Sequence, residues 1–126
     1  MPKQPTISVV DDDESVREAT VDLLSSLGFA AEAFQDAEDF LKSNSRCVTS
    51  CLIADIQMPR VSGLELYRLL VASGNPIPAV LITAYPNDKI RAQVLRAGVI
   101  GYLTKPFSDT KLLDCINTAL ELRKAS

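Results

Sequence analysis

Four places in this chain put groups that act on charge directly after apolar runs. Val9-Val10 leads into Asp11, Asp12, Asp13 and Glu14; the run 51–54 ends on Asp55; the run 79–82 ends on Thr83; and Lys105-Pro106 follows the run 99–103. Acids just ahead of a helix favour it by ~0.3–1 kcal/mol each, which accounts for Asp13 and Glu14. It does not account for Asp55, which is followed by Ile56, Gln57, Met58 and Pro59 rather than by a helix. Carboxylates held about 4–5 Å apart repel by about 1 kcal/mol per pair in water, and several times more at an effective dielectric of about 20. A cation relieves that cost. The chain has no His, so the donors are oxygens, a set that selects Mg2+ (or Mn2+), with one or two carboxylates and waters. A lone Lys is usually a solvated charge, but Pro106 stiffens the turn at Lys105, through a cis bond in one version, and so aims its ammonium. An ammonium beside a metal-bound carboxylate would stabilise charge on an incoming phosphoryl group. Thr83 is either a plain β-branched strand residue or a hydroxyl donor to the same group, and Ala84 leaves room above Asp55.

Those positions must be held by the elements around them. The pattern predicts strands at 6–10, 29–34, 51–54, 79–83 and 99–103. Between them run helical periods: Val16, Thr20, Leu23, Leu24 and Leu27, stopped by Gly28, then a short helix capped by Asp36 and running through Leu41. Residues 42–50 read as a loop. Ser62 and Glu65 form a capping box for a helix with Leu66, Tyr67, Leu70 and Val71, ended at Gly74. Pro86-Asn87 opens a fourth helix with Ile90, Val94 and Ala97 inward and Gly98 at its end; Ser108 caps a fifth with Leu112, Leu113, Ile116 and Leu120 inward. Continuously apolar strands alternating with helices imply a parallel sheet covered on both faces. Right-handed crossovers then make it a doubly wound α/β domain, whose site lies beyond the carboxyl ends of the strands.

Composition narrows the classes. At 126 residues and 13.7 kDa the chain is one domain. Apolar residues at 47% and charged residues at 23% are globular values. A net charge of −3 argues against direct nucleic-acid binding by this chain. The lack of His removes the Ser-His-Asp triad and a His general base. Three cysteines do not make a disulfide framework, and Cys47 with Cys51 does not complete a zinc site; they read as small buried hydrophobes in a reducing compartment. With no secretory h-region and no run of ~20 apolar residues, the expectation is a cytoplasmic protein without a membrane segment.

The segments VVDDDESVR, LIADIQMPRVSGLEL, VLITAYP and GYLTKPF resemble the signatures of bacterial two-component response-regulator receiver domains. They cover nearly the whole chain in order, and the MPxxSG variant and KPF ending resemble the FixJ-like branch, whose members usually carry a DNA-binding output domain after the receiver. The resemblance implies one receiver domain over residues 1–126, with the flavodoxin-like (βα)5 fold and sheet order 2-1-3-4-5. It implies Asp55 as phosphoacceptor, Asp12 and Asp55 as direct Mg2+ ligands, Asp11 as a ligand through water, and the Gln57 backbone carbonyl as the last protein ligand. Thr83 and Lys105 would contact the phosphoryl oxygens, and Tyr102 would be the aromatic switch partner of Thr83. The donor would be a phosphohistidine on a sensor histidine kinase. The face of helix four, strand five and helix five would meet an output domain or a downstream protein, or a second copy in a phosphorylation-dependent homodimer. The implied chemistry is Mg2+-dependent self-phosphorylation and self-dephosphorylation rather than turnover of a free substrate. Gln57 and Tyr85 fall where the family sets the lifetime of the phosphoryl group, and Pro86 would stiffen the loop after strand four.

Three other readings compete. An interaction module that is never phosphorylated would not need the full set of Asp11, Asp12, Asp55, Thr83 and Lys105. A flavodoxin-like cofactor binder wants a Gly-, Ser- and Thr-rich loop after strand one, where this chain has DDDE. An aspartyl-phosphate phosphatase would carry a second Asp two residues beyond the first, where Gln57 stands.

Overall fold

The computed structural model describes residues 5–125. Its order is β1 (Thr6–Val10), α1 (Glu14–Ser26), β2 (Ala30–Phe34), α2 (Ala37–Lys42), a 3-10 turn (Asn44–Cys47), β3 (Thr49–Asp55), α3 (Gly63–Ala72), β4 (Ala79–Thr83), α4 (Asp88–Arg96), β5 (Gly101–Thr104) and α5 (Asp109–Ala125). All strands are parallel, in the order β2-β1-β3-β4-β5. This is the doubly wound α/β architecture expected, with the strand order that the resemblance implied.

The period of two in the strands divides the core. Leu52, Ala54, Ala79 and Leu81 point to one face, where Phe40 of α2, Leu66 and Leu70 of α3 and Val94 of α4 cover them. Cys51, Ile53, Val80 and Ile82 point to the other, under Leu24 of α1 and Leu112 and Ile116 of α5. Because both faces are covered, β3 and β4 contain almost no exposed position, which is why they read as unbroken apolar runs.

Local signals set the helix starts. Asp13 caps α1 through the Val16 N–H, Asp36 caps α2 through the Asp39 N–H, and Asn87 caps α4 through the N–H groups of Lys89 and Ile90. Ser62 and Glu65 form a complete capping box on α3, and the Ser108 hydroxyl accepts from the Lys111 N–H at the start of α5.

The largest boundary differences are at β3 and β5; β2 also begins at Ala30 rather than at 29. β3 begins at Thr49 rather than at 51, because Thr49 is buried and its hydroxyl bonds that of Ser8 on β1 at 2.6 Å. The stretch 42–50, expected as loop, therefore holds a 3-10 turn and the start of a strand. β5 begins at Gly101 rather than at 99, since the Val99 N–H closes back on Val94 of α4 and the Ile100 N–H reaches Ala79. Among the cysteines, Cys51 is buried and Cys115 half-buried, but Cys47 is exposed, because the 3-10 turn carries it to the surface. Val71 also faces solvent on α3.

Candidate functional site at the carboxyl rim of the sheet

Asp11 directly follows β1 and Asp55 ends β3. These strands are hydrogen-bonded neighbours, with Val10 opposite Ala54, so the two acids leave the sheet side by side. Both are buried, at 4% and 7% exposure, while Asp12 faces outward. One carboxylate oxygen from each of Asp11, Asp12 and Asp55 lies within 4.8 Å of the others. Lys105, just past β5, reaches into this group. Its Nζ donates to Asp55 Oδ2 at 2.8 Å and to Asp11 Oδ2 at 3.2 Å. Three carboxylates thus face one ammonium, and an all-oxygen set short of positive charge fits a hard divalent cation.

The remaining oxygens are held by the main chain. Asp55 Oδ1 accepts from the Gln57 N–H at 3.0 Å, and Asp11 Oδ1 from the Asp13 N–H at 2.9 Å. Arg17 of α1 reaches back and donates to the Asp11 carbonyl at 2.7 Å, fixing the acidic loop to the helix that follows it. Lys105 is anchored by its own N–H, which donates to the Thr83 carbonyl at 2.8 Å, and its bond to Pro106 is cis. Gly63, the first residue of α3, packs on the Asp55 carbonyl; a Cβ there would lie 2.6 Å from that oxygen.

Burial sets the charge balance. Desolvation, joined by the neighbouring Asp55 charge, pushes the Asp11 carboxyl above the usual carboxylate range against the pull of the Asp13 N–H and of Lys105. For Lys105, burial alone would lower the ammonium. The hydrogen bonds and charges of Asp55 and Asp11 outweigh it together, so its pKa is raised and the side chain stays cationic.

Thr83 completes the rim at the end of β4. It is fully buried, its hydroxyl donates to Gln57 Oε1 at 2.7 Å, and the hydroxyl oxygen accepts from the Tyr85 N–H at 2.9 Å. Tyr102 on β5 sits opposite Leu81, two residues below Thr83 and hence on the same face of the sheet. Its hydroxyl accepts from the N–H of Asn87, the cap of α4.

Every site residue expected from the sequence lies at this rim or, for Tyr102, on the strand beside it. Two contributors, Arg17 and Gly63, carry no site role in the sequence reading. Arg17 belongs to the first quoted motif, but nothing in its spacing points to a carbonyl six residues back. Gly63 stands after Ser62 in the capping box, and a glycine at the first position of a well-capped helix is the signal that another backbone approaches closely. Gln57 is named in the sequence for its carbonyl and its place beside the acceptor, but its side-chain bond to Thr83 is not legible there, because that partner is 26 residues away.

Residues 7–117 match the family model for the response regulator receiver domain. The chain is 36% identical over 119 residues to the transcriptional regulatory protein TdiR of Thauera aromatica, covering 94% of this chain and 52% of that one. Its fold superposes on the structure of the response regulator StyR with a TM-score of 0.88 at 42% identity, over 98% of this chain and 64% of that one. For the crystal structure of FixJ-N the TM-score is 0.86 at 34% identity, over 95% and 96% of the two chains. With four strand ends, three acids and one lysine arranged as above, the chain belongs to the response-regulator receiver family, and FixJ is among its homologues. It spans about half the length of TdiR. Among the described residues, no helix is long and apolar enough to cross a membrane.

Proposed function

We propose that residues 1–126 work as one receiver unit that accepts a phosphoryl group on Asp55 from a phosphohistidine of a sensor histidine kinase. The observation that carries this is the Asp55 carboxylate itself. It is buried at the rim, with Oδ2 on Lys105 and Oδ1 on the Gln57 N–H, beside two further carboxylates. A carboxylate held at both oxygens is a positioned nucleophile, and phosphoryl transfer needs positioning and charge neutralisation more than covalent help. One Asp55 oxygen attacks phosphorus in line. The P–O bond forms as the P–N bond to imidazole breaks, and the imidazole leaves with the electron pair.

Asp12 and Asp55 would hold Mg2+ (or Mn2+) directly, with the Gln57 carbonyl completing the protein ligands. Asp11 would act through water, as the resemblance implies. Bound Mg2+ supplies positive charge against the phosphoryl oxygens. Lys105 stays cationic and follows the new charge, and the Thr83 hydroxyl is the further donor within reach of the rim. Drawing Thr83 toward the phosphoryl group vacates space on the face that Tyr102 shares, and Tyr102 with its tether to Asn87 transmits the change to the α4–β5–α5 face. That face would engage an output domain or downstream protein, or a second copy of the chain as a phosphorylation-dependent homodimer. TdiR is a transcriptional regulatory protein, and control of transcription from the cytoplasm through a separate DNA-binding domain is the output we assign. This chain, at net charge −3, would not touch nucleic acid itself.

Incubation with acetyl phosphate and Mg2+ tests the reading. The native protein should gain a hydroxylamine-labile phosphoryl group, and Asp55→Asn should lose it while keeping its fold by circular dichroism. Labelling that persists in Asp55→Asn would place the nucleophile elsewhere.

A further inference from the structure

A hydroxyl has one proton. In this structure the proton of Thr83 is spent on the Gln57 carboxamide at 2.7 Å, and the hydroxyl's acceptor side is taken by the Tyr85 N–H at 2.9 Å. Thr83 therefore has no donor left for an anion arriving at Asp55. We propose that Gln57 is a positioning residue that latches the switch in its resting state by holding that proton. The idea rests on Asp55 being the phosphoacceptor and concerns a different quantity: the equilibrium between resting and switched forms, set before any phosphoryl group is lost.

The geometry makes Gln57 suited to this. Its N–H holds Asp55 Oδ1, so its backbone is fixed to the acceptor carboxylate, while its side chain crosses from the β3–α3 loop to the end of β4. One residue thus touches both the group that gains charge and the group that must respond. The side chain is exposed, so releasing Thr83 returns the carboxamide to water and leaves no buried polar group behind. The latch is neutral, whereas a bond from Thr83 to a phosphoryl oxygen is charge-assisted and about twice as strong. The latch yields when Asp55 is charged and holds when it is not. Because Tyr85 is bonded to the same oxygen, the start of the loop into α4 moves with it.

The experiment is a double-mutant cycle with beryllofluoride, a stand-in for the phosphoryl group, in the presence of Mg2+. Gln57→Leu removes the carboxamide and keeps the main-chain N–H and carbonyl. Losing one neutral side-chain hydrogen bond from the resting form should tighten beryllofluoride binding by about threefold to tenfold. Without ligand, the Thr83 methyl and Tyr102 ring resonances of Gln57→Leu should move toward their positions in the adduct. In a Thr83→Ala background, with Thr83→Val as the second variant should Ala compromise the fold, Gln57→Leu should change the affinity no further. Equal affinities for native protein and Gln57→Leu would overturn the latch. So would the same tightening in both backgrounds, since Gln57 would then act by crowding or by touching the adduct rather than through Thr83. A native protein that takes up no beryllofluoride at Asp55 would instead bring down the phosphoacceptor assignment, and the latch with it.

Discussion

Lys105 is the residue on which the resting site depends. Its side chain is 17% exposed, and its one positive charge bridges two nearly buried carboxylates. Lys105→Met keeps the length and apolar stem but leaves Asp11 and Asp55 facing each other uncompensated. The expected loss is about 1–3 kcal/mol of stability in urea without divalent cation, partly restored by Mg2+. A loss within error of zero would mean that solvent already screens the pair. The three thiols differ in the same way, by environment rather than type. Cys47 is exposed, whereas burial pushes the Cys51 thiol up to about 12. A disulfide reagent at mild pH should therefore label Cys47 at once and Cys51 only on unfolding, which counting thiols with and without denaturant will show. Rapid native labelling of Cys51 would contradict the burial of β3. The chemical types at the rim were legible in the sequence because each interrupts an apolar run. The thiol environments were not, since Cys47 belongs to a turn that no local periodicity marks.

Among the elements, α3 is the one fitted most closely to the site. Its first residue lies against the backbone of the acceptor, and the Gly63 N–H also donates to the Ile56 carbonyl at 3.3 Å. Gly63→Ala would put a methyl 2.6 Å from the Asp55 carbonyl oxygen, a backbone atom that does not swing away. The helix must shift, at a cost of about 1–3 kcal/mol, and phosphorylation by acetyl phosphate should slow because the same shift moves the loop that holds Asp55. Unchanged melting and labelling in Gly63→Ala would show that the contact is slack. The helix starts themselves were readable from Asp13, Asp36, Ser62 with Glu65, Asn87 and Ser108, because a cap is a local hydrogen bond within a few residues. Strand edges were less so. The start of β3 depends on Thr49 meeting Ser8, 41 residues away. The start of β5 depends on the Val99 N–H turning back to Val94 while the Ile100 N–H reaches Ala79 on β4.

For the whole molecule, the concentration of negative charge at one rim couples stability to ions and to pH. A divalent cation that binds only the folded form should raise the melting temperature, by about 2.7 kcal/mol of stability at a hundredfold excess over Kd. A melting temperature flat across a Mg2+ titration would argue that the three carboxylates hold no ion. On the alkaline side the sign follows from Cys51. Its folded pKa of about 12 lies above the value of about 8.5 in an unfolded chain. The stability linked to its neutral thiol is therefore complete below about pH 8.5 and is lost as pH rises toward the folded value. Urea midpoints from pH 8 upward should fall, and Cys51→Ala should flatten that fall.

The sequence by itself determined the architecture and the inventory: strands buried on both sides, helices with one apolar stripe, caps between them, and acids, hydroxyl and ammonium at the strand ends. Such features are local, repeating every two or every few residues, and are therefore written in short stretches of chain. Only the tertiary structure decided which atoms meet. Lys105 joins Asp11 across 94 residues and Asp55 across 50, and Thr83 gives its proton to Gln57 rather than to the rim. Those choices follow from parallel register and helix crossovers, which bring distant strand ends to one edge at distances that no local pattern encodes.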